Sequence, residues 1–288
     1  MKIYYLYIFL IVIMASGSSC NYDLDIDIPE LDDKIVIDGW IEQNKKATVF
    51  LTANSPYFTT IDSASLRNLV LTRAKVTIDN GEETEVLILR RNENYFPPYF
   101  YQSNRISGEI GKSYTITAEY GGKTAWATTV ITEPVDIDTV FFNLAEGDDS
   151  LGVIHIEFTD PVESKNYYRI LTKRVGIDDK FNSILAMALD DKYFTGEKAR
   201  FTLLRAPSSF ITVDEDENYY RLGDTVAIKL CTISKDHYDF WNSYQEEILN
   251  VANPFASSLT EVLSNVKGDG LGIWGGYGAK YDTVYTSK

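Results

Sequence analysis

Residues 234–278, SKDHYDFWNSYQEEILNVANPFASSLTEVLSNVKGDGLGIWGGYG, hold the one convincing helical pattern and the densest glycine cluster in an otherwise strand-like chain. On a helical wheel Tyr238, Trp241, Ile248, Leu249 and Ala252 fall within an arc of ~100°, and Phe240, Tyr244 and Val251 widen it to about half the circumference. Ser234 or Asp236 can cap the start, and Asn253, which precedes Pro254, is pushed out of the α region. The spacing predicts a helix over about 235–252, packed on a sheet, with Trp241 largely buried. Gly270, Gly272 and Gly275 satisfy G-x-G-x-x-G by chance, since only thirteen residues follow Gly275 and no βαβ unit fits in them. The expected role of the Gly-rich stretch 268–278 is an extended segment whose bare backbone runs close to a sheet or a partner, anchored by Ile273, Trp274 and Tyr277.

Upstream of the helix the period changes to two. Val226, Ile228 and Leu230 alternate with Ala227, Lys229 and Cys231, as in a strand with one face more buried, and Cys231 reads as a small half-buried thiol. Other strands are expected at 137–144, 153–159, 167–175, 201–205 and 219–233, while 184–189 fits a strand or a helical turn. DEDEN at 214–218 reads as an exposed loop, and an EF-hand is excluded because its sixth position is Tyr219 and its twelfth Thr225. Nearer the N-terminus, β-branched and aromatic residues mark strands at 34–41 (KIVIDGWI) and 47–53 (ATVFLTA). Two hairpins follow, 75–89 turning at Asn80-Gly81 and 113–130 turning at Gly121-Gly122, dipeptides that supply the positive φ of a tight turn. The expected fold class is mainly β. An N-terminal immunoglobulin-like or transthyretin-like β-sandwich spans 34–132, 133–136 links it onward, and 137–288 forms a second β-rich domain with one packed C-terminal helix.

The chain has 288 residues, 44% of them hydrophobic, enough for two ordinary cores. Its first twenty differ from the rest: Lys2, an apolar run over 3–14, and small residues over 15–19 ending at Cys20. This reads as a lipoprotein signal peptide over 1–20 with Cys20 as the acylated N-terminus, because the apolar run is shorter than the ~18 residues of a spanning helix. Residues 21–33 form an acidic tether in which Asp23, Asp25 and Asp27 alternate. Removing 1–20 takes away Lys2 alone among charged residues and leaves 26 basic and 42 acidic side chains, a net of −16. That argues against a nucleic-acid partner. It also argues against electrostatic adhesion to an anionic leaflet, so membrane attachment rests on the N-terminal lipid.

No catalytic set stands out. The only histidines are His155 and His237, and there is no H-E-x-x-H, paired C-x-x-C or G-x-S-x-G, so no catalytic residue, metal ligand or cofactor is assigned. Asp62-Ser63, Asp138-Thr139, Asp149-Ser150, Asp224-Thr225 and Asp282-Thr283 fit exported O-glycosylation sites, and equally fit aspartates in turns before strands. The candidate binding aromatics are Tyr95, Phe96, Tyr99, Phe100 and Tyr101, with Tyr57 and Phe58, because tyrosine-rich loop-like stretches suit binding surfaces.

The small-residue run ending at Cys20, KIVIDGWI, GEIGKSYTITAEY, IDTVFF, and NPF followed by SNVKGDGLGIWGGYG together resemble a Bacteroidota lipoprotein family catalogued as domain of unknown function four-two-four-nine. The resemblance covers nearly the whole chain after Cys20 and carries no catalytic residues with it. It implies an outer-membrane lipoprotein, an accessory or substrate-capturing partner of a TonB-dependent receptor, with the surface or periplasmic face left open. The acidic tether resembles a surface-export signal and equally an ordinary linker. A fimbrial or adhesin-type structural lipoprotein is the alternative, and a hydrolase without a recognisable motif the third.

Overall fold

The computed structural model describes residues 32–55, 67–207, 215–251 and 261–288. Cys20 and the rest of the expected signal peptide, most of the expected acidic tether, Tyr57 and Phe58 lie outside the described residues. The strands of the first half are β1 (Ile35–Glu42), β2 (Lys46–Ala53), β3 (Lys75–Asp79), β4 (Thr84–Val86), β5 (Ile88–Arg91), β6 (Tyr99–Ser107), β7 (Ser113–Tyr120) and β8 (Lys123–Val130). Then come β9 (Thr139–Leu144), β10 (Leu151–Thr159), β11 (Tyr167–Arg174), β12 (Asn182–Ser183), β13 (Leu189–Asp190), β14 (Lys198–Leu203), β15 (Tyr220–Arg221) and β16 (Thr225–Ile233). Helix α1 (Lys235–Val251) precedes β17 (Lys267–Gly268) and β18 (Gly270–Tyr285). The protein is mainly β with one α-helix among the described residues, as the sequence predicts.

The longest sheet runs β12-β11-β16-β18-β1-β2-β6-β5, with β13 also on β11. A second runs β17-β8-β7-β3-β4, and a third β14-β10-β15 with β9 on β10. Strand alternation builds two cores on one face of the long sheet. Ile35, Ile37 and Ile41 of β1 and Val49 and Leu51 of β2 pack with Val76, Ile78, Tyr114, Ile116 and Ala125 of the second sheet. Ile170, Ile228 and Leu230 pack with Ile154, Ile156 and Phe158 of the third. Trp274 of β18 is fully buried in the first core, and its indole N–H donates to the Tyr114 carbonyl at 2.9 Å.

Strand β18 joins the two segments. Its first half pairs in parallel with β1, Ile35 opposite Gly270 and Glu42 opposite Tyr277, and its second half pairs antiparallel with β16, Thr232 opposite Gly278 and Thr225 opposite Tyr285. Each segment therefore has its own core, yet both lie in one sheet, and Asp33–Lys288 form one compact unit. The stretch at 133–136 is packed: the Thr132 hydroxyl donates to the Thr232 carbonyl at 2.9 Å, the Val135 N–H donates to the Thr232 hydroxyl at 3.3 Å, and Val135 belongs to the second core.

The β7–β8 hairpin turns at Gly121 and Gly122, with φ of 58° and 81°. The β3–β4 hairpin turns at Asn80-Gly81, where the Asn80 N–H donates to the Glu83 carbonyl at 3.2 Å, but its second arm leaves early. After Val86 the chain crosses to the long sheet as β5. The 184–189 stretch is neither a strand nor a helical turn: Ile184 makes an isolated bridge to Arg205, and β13 begins only at Leu189.

The helix corrects two expectations. Trp241 is only partly buried, and Tyr244 and Leu249 of the wheel's apolar half are exposed, whereas His237 and Ser243 are buried. The reason is local. His237 sits where Gly275 leaves room, since a Cβ there would lie 2.0 Å from the imidazole ring, and Ser243 and Gln245 accept from the Leu263 and Met187 N–H groups, so α1 docks by its first three turns rather than along its whole apolar face. Cys231, expected half-buried, is fully enclosed, because β16 is an interior strand with the second core on one face and Tyr277, Ala279 and the residues beneath α1 on the other. No helix among the described residues is long and apolar enough to cross a membrane.

Candidate functional site

The face of the long sheet opposite the two cores carries a cleft of about 430 Å³. Period-two alternation decides what reaches it. With Ile37 and Ile41 turned to the first core, Asp38, Trp40 and Glu42 of β1 point to the other face. With Tyr168 and Ile170 turned to the second core, Arg169, Leu171 and Lys173 of β11 do the same. Lys229 of β16 and Ile273, Tyr277 and Tyr281 of β18 complete the floor, and His237 and Trp241 of α1 close one side. Gly275 keeps this floor free of a side chain where His237 presses against it, and Gly39 does the same for Trp274 on the opposite, core face.

One part of the cleft is internally satisfied. Lys229 and Glu42, both nearly buried, form an ion pair at 2.5 Å, Lys45 approaches Glu42 at 2.8 Å, and the Tyr281 hydroxyl donates to Glu42. Burial would raise the Glu42 carboxyl, but Lys229, with the bonds from Lys45 and Tyr281, outweighs it and holds the group below the usual carboxylate range. Removing either member of such a pair would leave an uncompensated buried charge, a loss of about 3 to 5 kcal/mol.

The other part is unsatisfied. Arg169 is 8% exposed, lays its guanidinium over the Trp241 ring at 3.5 Å and donates from Nη1 to the Tyr277 hydroxyl at 2.8 Å, while its Nε has no acceptor. His237 Nδ1 and Trp241 Nε1 are likewise enclosed without partners. Burial, with Arg169 and Lys229 nearby, pushes His237 well below its ordinary value, so the imidazole is neutral at neutral pH. The Asp38 side chain is exposed in the cleft, and the desolvation it does experience raises its carboxyl against the opposing pull of Arg169 and Lys180. The Ser183 hydroxyl, on another residue of the lining, is also enclosed without a partner, and because buried polar groups normally find partners, four unpaired ones around a single opening mark this cleft as the candidate ligand site.

Nucleophilic chemistry finds little support in these side chains. Burial pushes the Cys231 thiol up to about 11, and His237 makes no side-chain hydrogen bond that would activate it. Among the described residues no three His, Cys, Asp or Glu side chains converge as a metal site would require. A second cleft of about 460 Å³ lies beside β11 and β15, and two of its three arginines are already engaged, Arg174 with Asp178 at 2.7 Å and Arg205 with the Glu217 carbonyl at 2.9 Å.

The candidate aromatics divide. Tyr95 lines the cleft and packs edge-on against Phe50 and Phe100. Phe96 is 56% exposed, and Tyr99 is partly exposed beside Arg91. Phe100 and Tyr101 are buried on β6 and serve packing rather than a surface: the Tyr101 hydroxyl donates to the Leu71 carbonyl at 2.7 Å and accepts from the Ala74 N–H at 3.0 Å. Sequence reading missed Asp38, Arg169, Lys229 and His237. Its available signal was a charged residue inside strands whose neighbours are apolar, Arg169 between Tyr168 and Ile170, Lys229 between Ile228 and Leu230.

No curated protein matches the chain. Residues 21–282 match a family described as Domain of unknown function (DUF4249), a span that includes every strand and side chain of the cleft up to and beyond Tyr281. The chain is a member of that domain-of-unknown-function family.

Proposed function

We propose that this protein is a non-enzymatic, lipid-anchored capture protein of the outer membrane, which holds a small polar ligand in the cleft beneath α1 for a TonB-dependent receptor alongside it. The observation that carries the reading is the convergence of Arg169, His237 and Trp241, each with an unpaired buried nitrogen, on one open cleft. Tethering through Cys20 would place protein and receptor in the same membrane, where shared attachment raises effective concentration without a large interface. The receptor partner and the lipid anchor come from the family resemblance and from the signal-like residues 1–20. The place of β18 favours capture over a polymerising subunit, because the strand is held by two different partners, β1 over 270–277 and β16 over 278–285, and both ladders must break for it to leave its sheet.

The test is purification of the lipidated protein from its own membrane in mild detergent. Proteins that accompany it are identified, and small molecules are released by denaturation. A TonB-dependent receptor and a stoichiometric small molecule are expected. Recovery of the protein alone and empty, or as filaments, refutes the capture reading in favour of a structural one.

A further inference from the structure

Two opposite charges in the cleft lack partners, and they do not partner each other. Arg169 forms no salt bridge among the described residues. With Nη1 committed to Tyr277 and one face covered by Trp241, its remaining donors are Nε and Nη2, which share one edge of the guanidinium plane. That edge matches the two oxygens of a carboxylate. Asp38 makes no hydrogen bond or salt bridge among the described residues, although Arg169 and Lys180 are close enough to influence its charge. Both side chains line the same cleft, and the neighbouring acid, Glu42, is already taken by Lys229 and Lys45. A buried guanidinium without a counter-ion is strongly unfavourable, and the Asp38 carboxylate, exposed in the cleft, is open to a cation. Direct pairing would satisfy both, but they stand farther apart than ion-pair distance. A ligand bearing both charges satisfies both at once. Around them Trp40, Tyr95 and Phe181 offer apolar and aromatic surface for the rest of such a molecule, and the volume of the cleft lies within the range of small-molecule sites.

We infer that the cleft takes a small zwitterion of the amino-acid or short-peptide class, its carboxylate on the Nε/Nη2 edge of Arg169 and its ammonium group on Asp38. The inference rests on the reading of the cleft as a capture site, and it names the class of molecule captured. Four probes with a common phenyl group separate the charges: L-phenylalanine and glycyl-L-phenylalanine carry both, 3-phenylpropanoate the carboxylate alone, and 2-phenylethylamine the ammonium alone. Trp40 and Trp241 line the cleft and report binding to the full-length protein in mild detergent by their fluorescence.

At least one zwitterion is expected to bind saturably and about 10-fold or more tighter than either single-charge analogue, the worth of one charge-assisted contact. Asp38→Asn should reduce the zwitterion to the affinity of 3-phenylpropanoate. Arg169→Lys, which keeps the charge but loses the planar fork, should weaken all three carboxylate-bearing probes and leave 2-phenylethylamine unchanged. Asp38 is open to the cleft, so its variant keeps the test decisive if the Arg169 variant fails to fold. Should 3-phenylpropanoate bind as tightly as the zwitterions and Asp38→Asn change nothing, the zwitterion assignment falls while capture stands. The same holds if no probe binds but the natively purified protein releases a small molecule. If no probe binds and nothing is released, both readings fall.

Discussion

Glu85 accepts hydrogen bonds from three successive backbone N–H groups, those of Asn104, Arg105 and Ile106, at 2.6 to 3.0 Å. Burial by itself would raise this carboxyl, but the three backbone donors, led by Ile106, overcome it and hold the group below the usual range. A depressed carboxylate contributes stability that is complete above its unfolded pKa of ~4.3 and is lost as pH falls through the folded value. Wild type should therefore lose more stability between pH 5 and pH 3 than Glu85→Gln does, in urea titrations at each pH. At pH 7 Glu85→Ala leaves three N–H groups without their acceptor and is expected to cost about 3 kcal/mol, with Glu85→Gln costing about half. Neither this cap nor the cleft charges are legible in the sequence, for one physical reason. Alternation tells which residues share a face of a strand but not what lies over that face. Lys229 therefore reads as the exposed side of β16, although Glu42 of β1 and the Tyr277 ring of β18, both buried, meet it there.

Elements built from neighbouring residues are the ones that sequence reads well. The Gly121-Gly122 hairpin is legible because its turn chemistry and both of its strands lie within eighteen residues. The parallel pairing of β1 with β18 is not, because Ile35 and Gly270 carry no mark of each other across the chain. For the helix, the wheel shows a wide apolar half, and the structure leaves Tyr244 and Leu249 of it exposed. The feature that determined docking was a missing side chain on β18, at Gly275. The close passage expected of the glycine-rich stretch is found along its length: a Cβ on Gly276 would lie 2.3 Å from the Val130 carbonyl oxygen, and one on Gly278 would lie 2.0 Å from that of Thr132. Gly278→Ala must displace backbone rather than a flexible side chain. It is expected to cost about 3 kcal/mol, seen as a lower urea midpoint with an unchanged slope. An unchanged midpoint would mean that the two segments are not held at the distance seen here.

At the scale of the molecule, attachment to the membrane is expected to depend on one atom, the Cys20 sulfur. Cys20→Ser should move the protein from the membrane fraction to the soluble fraction or leave it unprocessed, as read by fractionation and mass spectrometry. Wild type should stay with the membrane through a high-salt wash, since a net charge of −16 provides no electrostatic adhesion for salt to screen. Finding unlipidated wild-type protein in the membrane fraction would overturn this. The order in which the long sheet can close has a further consequence. Every partner of β18 precedes it in the chain, so an emerging polypeptide presents β1 with one open edge until 270–285 follows, more than two hundred residues later. At translation rates of roughly 5 to 20 residues per second that interval is on the order of tens of seconds. During it the open edge is a template for pairing with any other chain. The long sheet therefore cannot close before the last strand has emerged, and its central strands are expected to gain protection from hydrogen exchange only once residues 270–285 are present.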